Sequence, residues 1–235
     1  MDTQTRHALK GDKFAQATKT SVTWLSGHRT NVLRWAIAAA VILAVGIGFL
    51  VFWNVREGAA EAALGQALNT YTAPLALPGA PAENGTYATV AERAKASNEQ
   101  FKAVADKYGW LPEGSKARYF QGVTEQELGQ TAAAESDLKK VADSWNRNLA
   151  NLAKVALASI YRQTGRDQQA IDLYNEIIAK PSETVTAGVA QLDLADLYDA
   201  TGKQAQAKAL WAKLKDSDKD GAAGSIAGQK LSGNK

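Results

Sequence analysis

The chain has 235 residues, no cysteine and only two histidines, His7 and His28, with 27 basic against 24 acidic side chains. Beyond residue 28 there is no material for a thiolate nucleophile, a Ser-His-Asp relay or a zinc site of imidazole and thiolate. The net charge of +3 does not mark a nucleic-acid surface either. Residues 1–34 hold six basic and two acidic groups, and the other 21 basic residues are scattered among 22 acidic ones without the clustered stripe that phosphate binding needs.

Residues 1–31 read as a basic tail. Within it Phe14, Ala17, Val22 and Leu25 recur at loose helical spacing, which fits either a helix lying on a membrane surface or an unstructured segment. Residues 36–53 then form a long uncharged apolar run. Eighteen residues of helix reach roughly 27 Å, close to the thickness of a bilayer's hydrocarbon core. Trp35 and Trp53 bracket the run, where indole rings favour the water interface, and Arg34 can extend its charge to the headgroups. A buried helix of a soluble domain would need apolar neighbours to cover it, and the sequence offers none. A cleaved signal peptide has an apolar region of about 7–15 residues close to a short basic start, whereas 35 residues precede this one. The sequence therefore predicts an uncleaved transmembrane helix over 32–55. Lys19, Arg29 and Arg34 stand before it and only Arg56 follows closely, so the positive-inside rule predicts a cytoplasmic N-terminus. The remainder then lies outside the plasma membrane, which in a bacterial cell is the periplasm. Ala36, Ala40, Ala44 and Gly48 form a stripe of small residues along the span, a face on which helices pack closely in lipid.

Residues 56–215 carry an internal repeat. Leu157, Ala158, Tyr161, Gly165, Ala170, Tyr174 and Ile177 reappear 37 positions later as Leu194, Ala195, Tyr198, Gly202, Ala207, Trp211 and Leu214. Leu157, Ala158 and Tyr161 share one face of a first helix, because residues three and four apart point the same way. Gly165 ends that helix, Arg166 and Asp167 open a second, and Pro181 marks its exit. Ala170 is small so that the two helices approach closely, while Tyr174 and Ile177 cover the groove to the next hairpin. A weaker copy lies 36 residues upstream, with Gly122, Gly129, Ala134, Leu138 and Val141. There Arg118 and Glu125 stand where apolar residues are expected, and Tyr119 and Phe120 are expected to supply the missing bulk. Further upstream Leu64, Gly65 and Leu68 read as half of another hairpin, with Ser97, Phe101 and Val104 as its other half. They are split by a loop insertion over 72–88 containing Pro74, Pro78, Gly79, Pro81 and Gly85.

Residues 216–235 read as a flexible tail or a short capping helix near Ile226. Asp216, Asp218, Asp220 and Gly221 match the opening of a calcium loop, but the twelfth position, where a bidentate Glu is required, is Ala227. Neither a G-x-S-x-G elbow nor a phosphate-binding loop is present. The carboxylate groupings Glu125 with Glu127, and Asp193 with Asp196 and Asp199, read as solvated helix faces. No catalytic residue, metal site or cofactor is predicted, and the chain is not read as an enzyme.

The order large apolar, small, aromatic, Gly, Ala, aromatic, aliphatic resembles the tetratricopeptide repeat, although its usual period is about 34 residues. The predicted fold class is all-α, a single N-terminal transmembrane helix followed by a tetratricopeptide-repeat-like helical solenoid. Together with the pre-anchor stretch Trp24-Leu25-Ser26-Gly27-His28-Arg29, this arrangement resembles the YfgM-type ancillary subunits of the bacterial Sec translocon. The resemblance implies an inner-membrane protein with protein partners: Sec translocon subunits, a periplasmic chaperone or prolyl isomerase, and client polypeptides. The other readings are a scaffold for division or outer-membrane biogenesis, and an accessory subunit of an envelope enzyme system such as cytochrome maturation. In such repeats the first helices line the binding surface. That implies partner contacts at Tyr119, Val123 and Gln126, at Val155, Ser159 and Arg162, and at Leu192, Asp196 and Asp199. These mix apolar with polar residues of both signs, which suits an extended segment held by modest apolar contacts. No Lys and Asn pair occupies the inward positions, so a clamp for a peptide's terminal carboxylate is absent.

Overall fold

The computed structural model describes residues 29–77 and 85–233. Among the described residues the chain is all-helical: α1 Arg29–Tyr71, α2 Val90–Lys107, α3 Pro112–Glu127, α4 Thr131–Ala142, α5 Arg147–Gln163, α6 Asp167–Ala179, α7 Ala187–Ala200, α8 Gln204–Ser217 and α9 Ala222–Gly233. Both histidines, the segment Phe14 to Leu25, Pro78, Gly79 and Pro81 lie outside the described residues.

The chain divides into two units, one through Arg56 and one from Glu57, and α1 contributes residues to both. In the first unit α1 is long and apolar enough to cross a membrane, and none of its apolar window is covered by protein. Ile42 and Leu50, for example, are 72% and 66% exposed. The stripe Ala36, Ala40, Ala44 and Gly48 is exposed with the rest.

In the second unit α3 pairs with α4, α5 with α6 and α7 with α8, α9 closes the array against α8 and α7, and the end of α1 meets α2 as the first hairpin through the Tyr71 and Phe101 rings. One helix supplies both the apolar run and the first arm of the array, to which its buried Ala60, Leu64 and Ala67 belong. The insertion begins after Tyr71 and is pinched by the Ala76 N–H donating to the Tyr87 carbonyl (2.9 Å) and the Tyr87 N–H to the Pro74 carbonyl (3.2 Å).

Two kinds of joint alternate. Within a hairpin, the first helix ends in a left-handed glycine: Gly129, Gly165 and Gly202 have φ of +73°, +71° and +75°. In each joint the amide after the glycine returns to a carbonyl five residues back: Gln130 to Glu125 (2.8 Å), Arg166 to Tyr161 (2.7 Å) and Lys203 to Tyr198 (2.8 Å). This closure occupies end-of-helix carbonyls that would otherwise be orphaned. Between hairpins, first helices are started by side chains or by proline. Asn146 accepts the Leu149 amide and Thr186 the Val189 amide, while α3 has Pro112 at its start. The turns into α3 and α9 share a further device. A Cβ on Gly114 would collide with the Tyr108 carbonyl, and one on Gly224 with the Asp218 carbonyl.

The core is a ladder of equivalent positions. Ser97, Ala134, Ala170 and Ala207 are wholly buried where second helices meet first ones. The same holds within a few per cent for Phe101, Leu138, Tyr174 and Trp211, and for Val104, Val141, Ile177 and Leu214. A rung absent from the sequence reading is Ala60, Ala117, Ala153, Ala190 and Ala227, all wholly buried and one per first helix. The rung places α9 in register as a fifth first helix. Each large aliphatic side chain so buried contributes roughly 1.5–3 kcal/mol relative to exposure, and small residues at the crossings let the helices approach closely enough to bury them.

Candidate functional site

The nine residues expected to meet partners lie on α3, α5 and α7, and none is fully buried. Their spacing of 36 and then 37 residues sets them in three rows across successive first helices. Tyr119, Val155 and Leu192 make an apolar row, half-buried because each also packs against the core beneath it. Val123, Ser159 and Asp196 make a mixed row. Gln126, Arg162 and Asp199 make a polar row near the helix C-termini. The rows thus grade from apolar to charged, a property of the residue order at a fixed register.

Between α5 and α7 the surface opens into a cleft of about 510 Å³ lined by Ser159, Arg162, Gln163, Leu197 and Thr201 among others. Arg162 lies near the hydroxyl of Tyr174 and the carboxylate of Asp193. Asp193 is more enclosed than the solvated face the sequence suggests. Burial, with the neighbouring Asp196 charge adding to it, pushes its carboxyl above the ordinary range, against the pull of Arg162. Asp196 is bound within the chain: Lys230 of α9 donates to both its oxygens, at 2.9 and 3.0 Å. That engagement is not legible in the sequence, because its partner lies 34 residues away on a segment with weak periodicity. Tyr119 and Tyr174 have phenols pushed up by burial, so they remain neutral donors and acceptors.

Beneath Val123 and Gln126 the hairpin α3–α4 is joined by polar groups. Gln121 donates through Nε2 to Glu125 (3.0 Å) and to Asp137 (2.9 Å), and Asp137 also accepts from Arg118 (3.0 Å) and Lys140 (2.9 Å). Burial raises the Glu125 carboxyl above its ordinary range. The bulk expected from Tyr119 and Phe120 divides. Tyr119 packs on the central core, while Phe120 turns the other way, stacking on Phe101 (5.2 Å) and meeting Tyr71 (5.9 Å). Phe120 therefore ties the first hairpin to the second.

The near-calcium motif has a structural role. Asp218 accepts the Gly224 amide at 3.1 Å and starts α9, and Ala227 is buried in the core. Among the described residues no group of three or more His, Asp or Glu is placed to hold a metal.

Comparison with known proteins bears on the fold of the array. A tetratricopeptide repeat family model matches residues 153–182, the stretch from mid-α5 to just past α6. A crystal structure of TPR-like repeats from a Podosopora anserina protein assigned as a kinesin light chain is similar at a TM-score of 0.50. The identity is 17%, over 60% of this chain and 76% of that one. A variant of that protein with one glutamine replaced by methionine matches at 0.50 with 16% identity over the same shares. A tetratricopeptide repeat protein from Parabacteroides merdae matches at 0.47 with 18% identity, over 61% of this chain and 55% of that one. No curated protein matches the sequence. With the family model and the first of these structures, the array is a tetratricopeptide-like fold.

Proposed function

We propose that the chain is a membrane-anchored scaffold of the bacterial envelope, and not an enzyme. It would hold polypeptide segments across α3, α5 and α7 outside the plasma membrane, near the Sec channel and together with a periplasmic chaperone or prolyl isomerase. The observation that carries this reading is the graded triple row on the first helices. Apolar side chains left half-covered at one repeat position, beside a mixed row and a polar row at the next two, offer an extended segment both burial and backbone partners. The uncovered apolar stretch of α1 supports a span in lipid, and the basic excess before it supports a cytoplasmic N-terminus.

Cross-linking and capture of the full chain from detergent-solubilised membranes tests the partner assignment. Channel subunits and an envelope chaperone are expected to co-purify, and Val155→Glu with Leu192→Glu should lower their recovery without changing the helical content. Recovery of division or haem-maturation proteins alone would overturn the assignment. Protease treatment of sealed, inside-out vesicles of the inner membrane should leave the repeat array protected in the lumen, and cleavage there would reverse the orientation.

A further inference from the structure

From Glu57 onward, among the described residues, aromatic side chains are buried or half-buried with two exceptions: Trp110 is 51% exposed and Trp145 is 90% exposed. They occupy equivalent places. Trp110 sits in the turn from α2 to α3, and Trp145 in the turn from α4 to α5, each joining a second helix to the next first helix. Their neighbours point the other way, since Tyr108, Leu111 and Leu149 are buried. Val189, in the first turn of α7, adds a third exposed apolar side chain to the same edge.

That edge is defined by helix direction within the array. The Tyr71 hydroxyl donates to the Glu127 carboxylate at 2.8 Å, joining the C-terminal ends of α1 and α3. Glu57, where the array begins, therefore lies toward the same edge as Pro112 and the Trp110 turn. Trp53, where the apolar run ends, precedes Glu57 by only four residues. If the run spans a bilayer, covalent connection alone keeps this edge close to the lipid surface, at the high effective concentration of a short tether. Indole side chains favour that interface. The charges around the two turns are balanced, Lys107 and Arg147 against Glu113 and Asp143, so attraction to acidic lipid is not required.

We propose that the turn edge carrying Trp110 and Trp145 is a membrane-docking surface that rests on the headgroup region of the bilayer holding the anchor. The inference rests on the anchoring reading and adds to it that the array is held against lipid by a second, non-covalent contact. The contact would orient the first helices and fix the height of the binding rows above the membrane.

The test uses the full chain carrying 5-fluorotryptophan in phosphatidylcholine nanodiscs, with a fraction of lipids bearing a gadolinium chelate on the headgroup. Fluorine resonances are assigned by single Trp→Phe substitutions, and Leu77→Trp supplies a reporter at the opposite edge, where Leu77 is 77% exposed. The resonances of Trp35, Trp53, Trp110 and Trp145 are expected to lose most of their intensity, and the reporter at position 77 to keep it. The loss at Trp110 and Trp145 should persist in about 1 M salt, where charge attraction is screened within roughly 3 Å. If Trp53 broadens while Trp110 and Trp145 stay sharp, the docking surface is overturned and the anchor stands. Uniform broadening that includes position 77 also overturns it, because the contact is then not confined to this edge. If neither Trp35 nor Trp53 broadens, the anchoring reading fails and the docking surface with it.

Discussion

The hairpins α3–α4 and α5–α6 have the same backbone plan and different interiors. Leu157 and Tyr161 on α5, and Leu173 on α6, pack in the central core. The equivalent positions 36 residues earlier are Gln121, Glu125 and Asp137, all buried and joined to one another through Gln121. The close-contact positions do not diverge: Gly122 matches Ala158, and Ala134 matches Ala170. A Cβ on Gly122 would already press on the Leu138 side chain. The difference teaches that the fold is constrained most tightly where helices cross, whereas the bulky positions accept either apolar packing or a polar network. The polar solution is the weaker one, because Gln121 Oε1 and Glu125 Oε2 are buried without a hydrogen-bond partner.

The largest effect should come from breaking what both hairpins share. Ala134→Arg, Ala170→Arg and Ala207→Arg each force a charged side chain into a wholly buried crossing, and each should destabilise the array by on the order of 4 kcal/mol or more. Thermal unfolding of the full chain in detergent, followed by circular dichroism, is the measurement. Unchanged midpoints in all three would refute the register of the repeats.

Exchanging the two interiors sharpens the comparison. Gln121→Leu, Glu125→Tyr and Asp137→Leu together would copy the apolar solution into α3–α4, and well-packed apolar replacements of buried ionic groups often stabilise by about 1–4 kcal/mol. Arg118 would lose its carboxylate but can reach solvent, since its side chain is already 24% exposed. A higher unfolding midpoint is expected, whereas Asp137→Ala alone should lower it by roughly 1–3 kcal/mol through stranded donors. A triple variant less stable than the parent would show that the network does more than fill space.

The same contrast explains what the sequence made legible. Periodicity exposed α5 to α8 because both the small and the bulky positions repeat there in kind. It exposed α3–α4 only through its glycines, Ala134, Leu138 and Val141, since a buried Gln-Glu-Asp network looks like a solvated face until its partners are placed. The Ala117, Ala153, Ala190 and Ala227 rung was available at the same offsets, yet alanine is common enough in this chain to hide a period. Helix α9 reads as either tail or cap in the sequence because Gly224, Gly228 and Gly233 weaken its helical signal. Of the candidate site, the rows on α3, α5 and α7 followed from helix spacing. The Lys230 to Asp196 bridge and the enclosure of Asp193 depend on tertiary neighbours.

A smaller effect should be equal in the two hairpins. Gly129→Ala and Gly165→Ala each place a side chain in the left-handed region, with nothing within 4 Å of the new Cβ. The change is therefore conformational alone, and each should lose about 1 kcal/mol. Unequal losses in chemical unfolding would mean that one joint is strained by its interior.

The finest distinction is one of sign with pH, and it separates two carboxyls ten residues apart. Burial raises Glu125 above its ordinary value of 4.5, so the stability it contributes is complete below that value and is lost as pH rises through the raised one. Glu135 behaves oppositely. Paired with Arg166 at 2.7 and 3.1 Å and with Lys139 at 2.7 Å, it is lowered to about 2. Its contribution is present above 4.5 and disappears as pH falls through about 2. Glu125→Gln should accordingly gain stability over the parent as pH climbs from 4.5 toward neutrality, while Glu135→Gln should lose most at neutral pH and converge on the parent near pH 2. Midpoint differences from the parent, measured across that range, would contradict the placement of either group if its trend ran the other way.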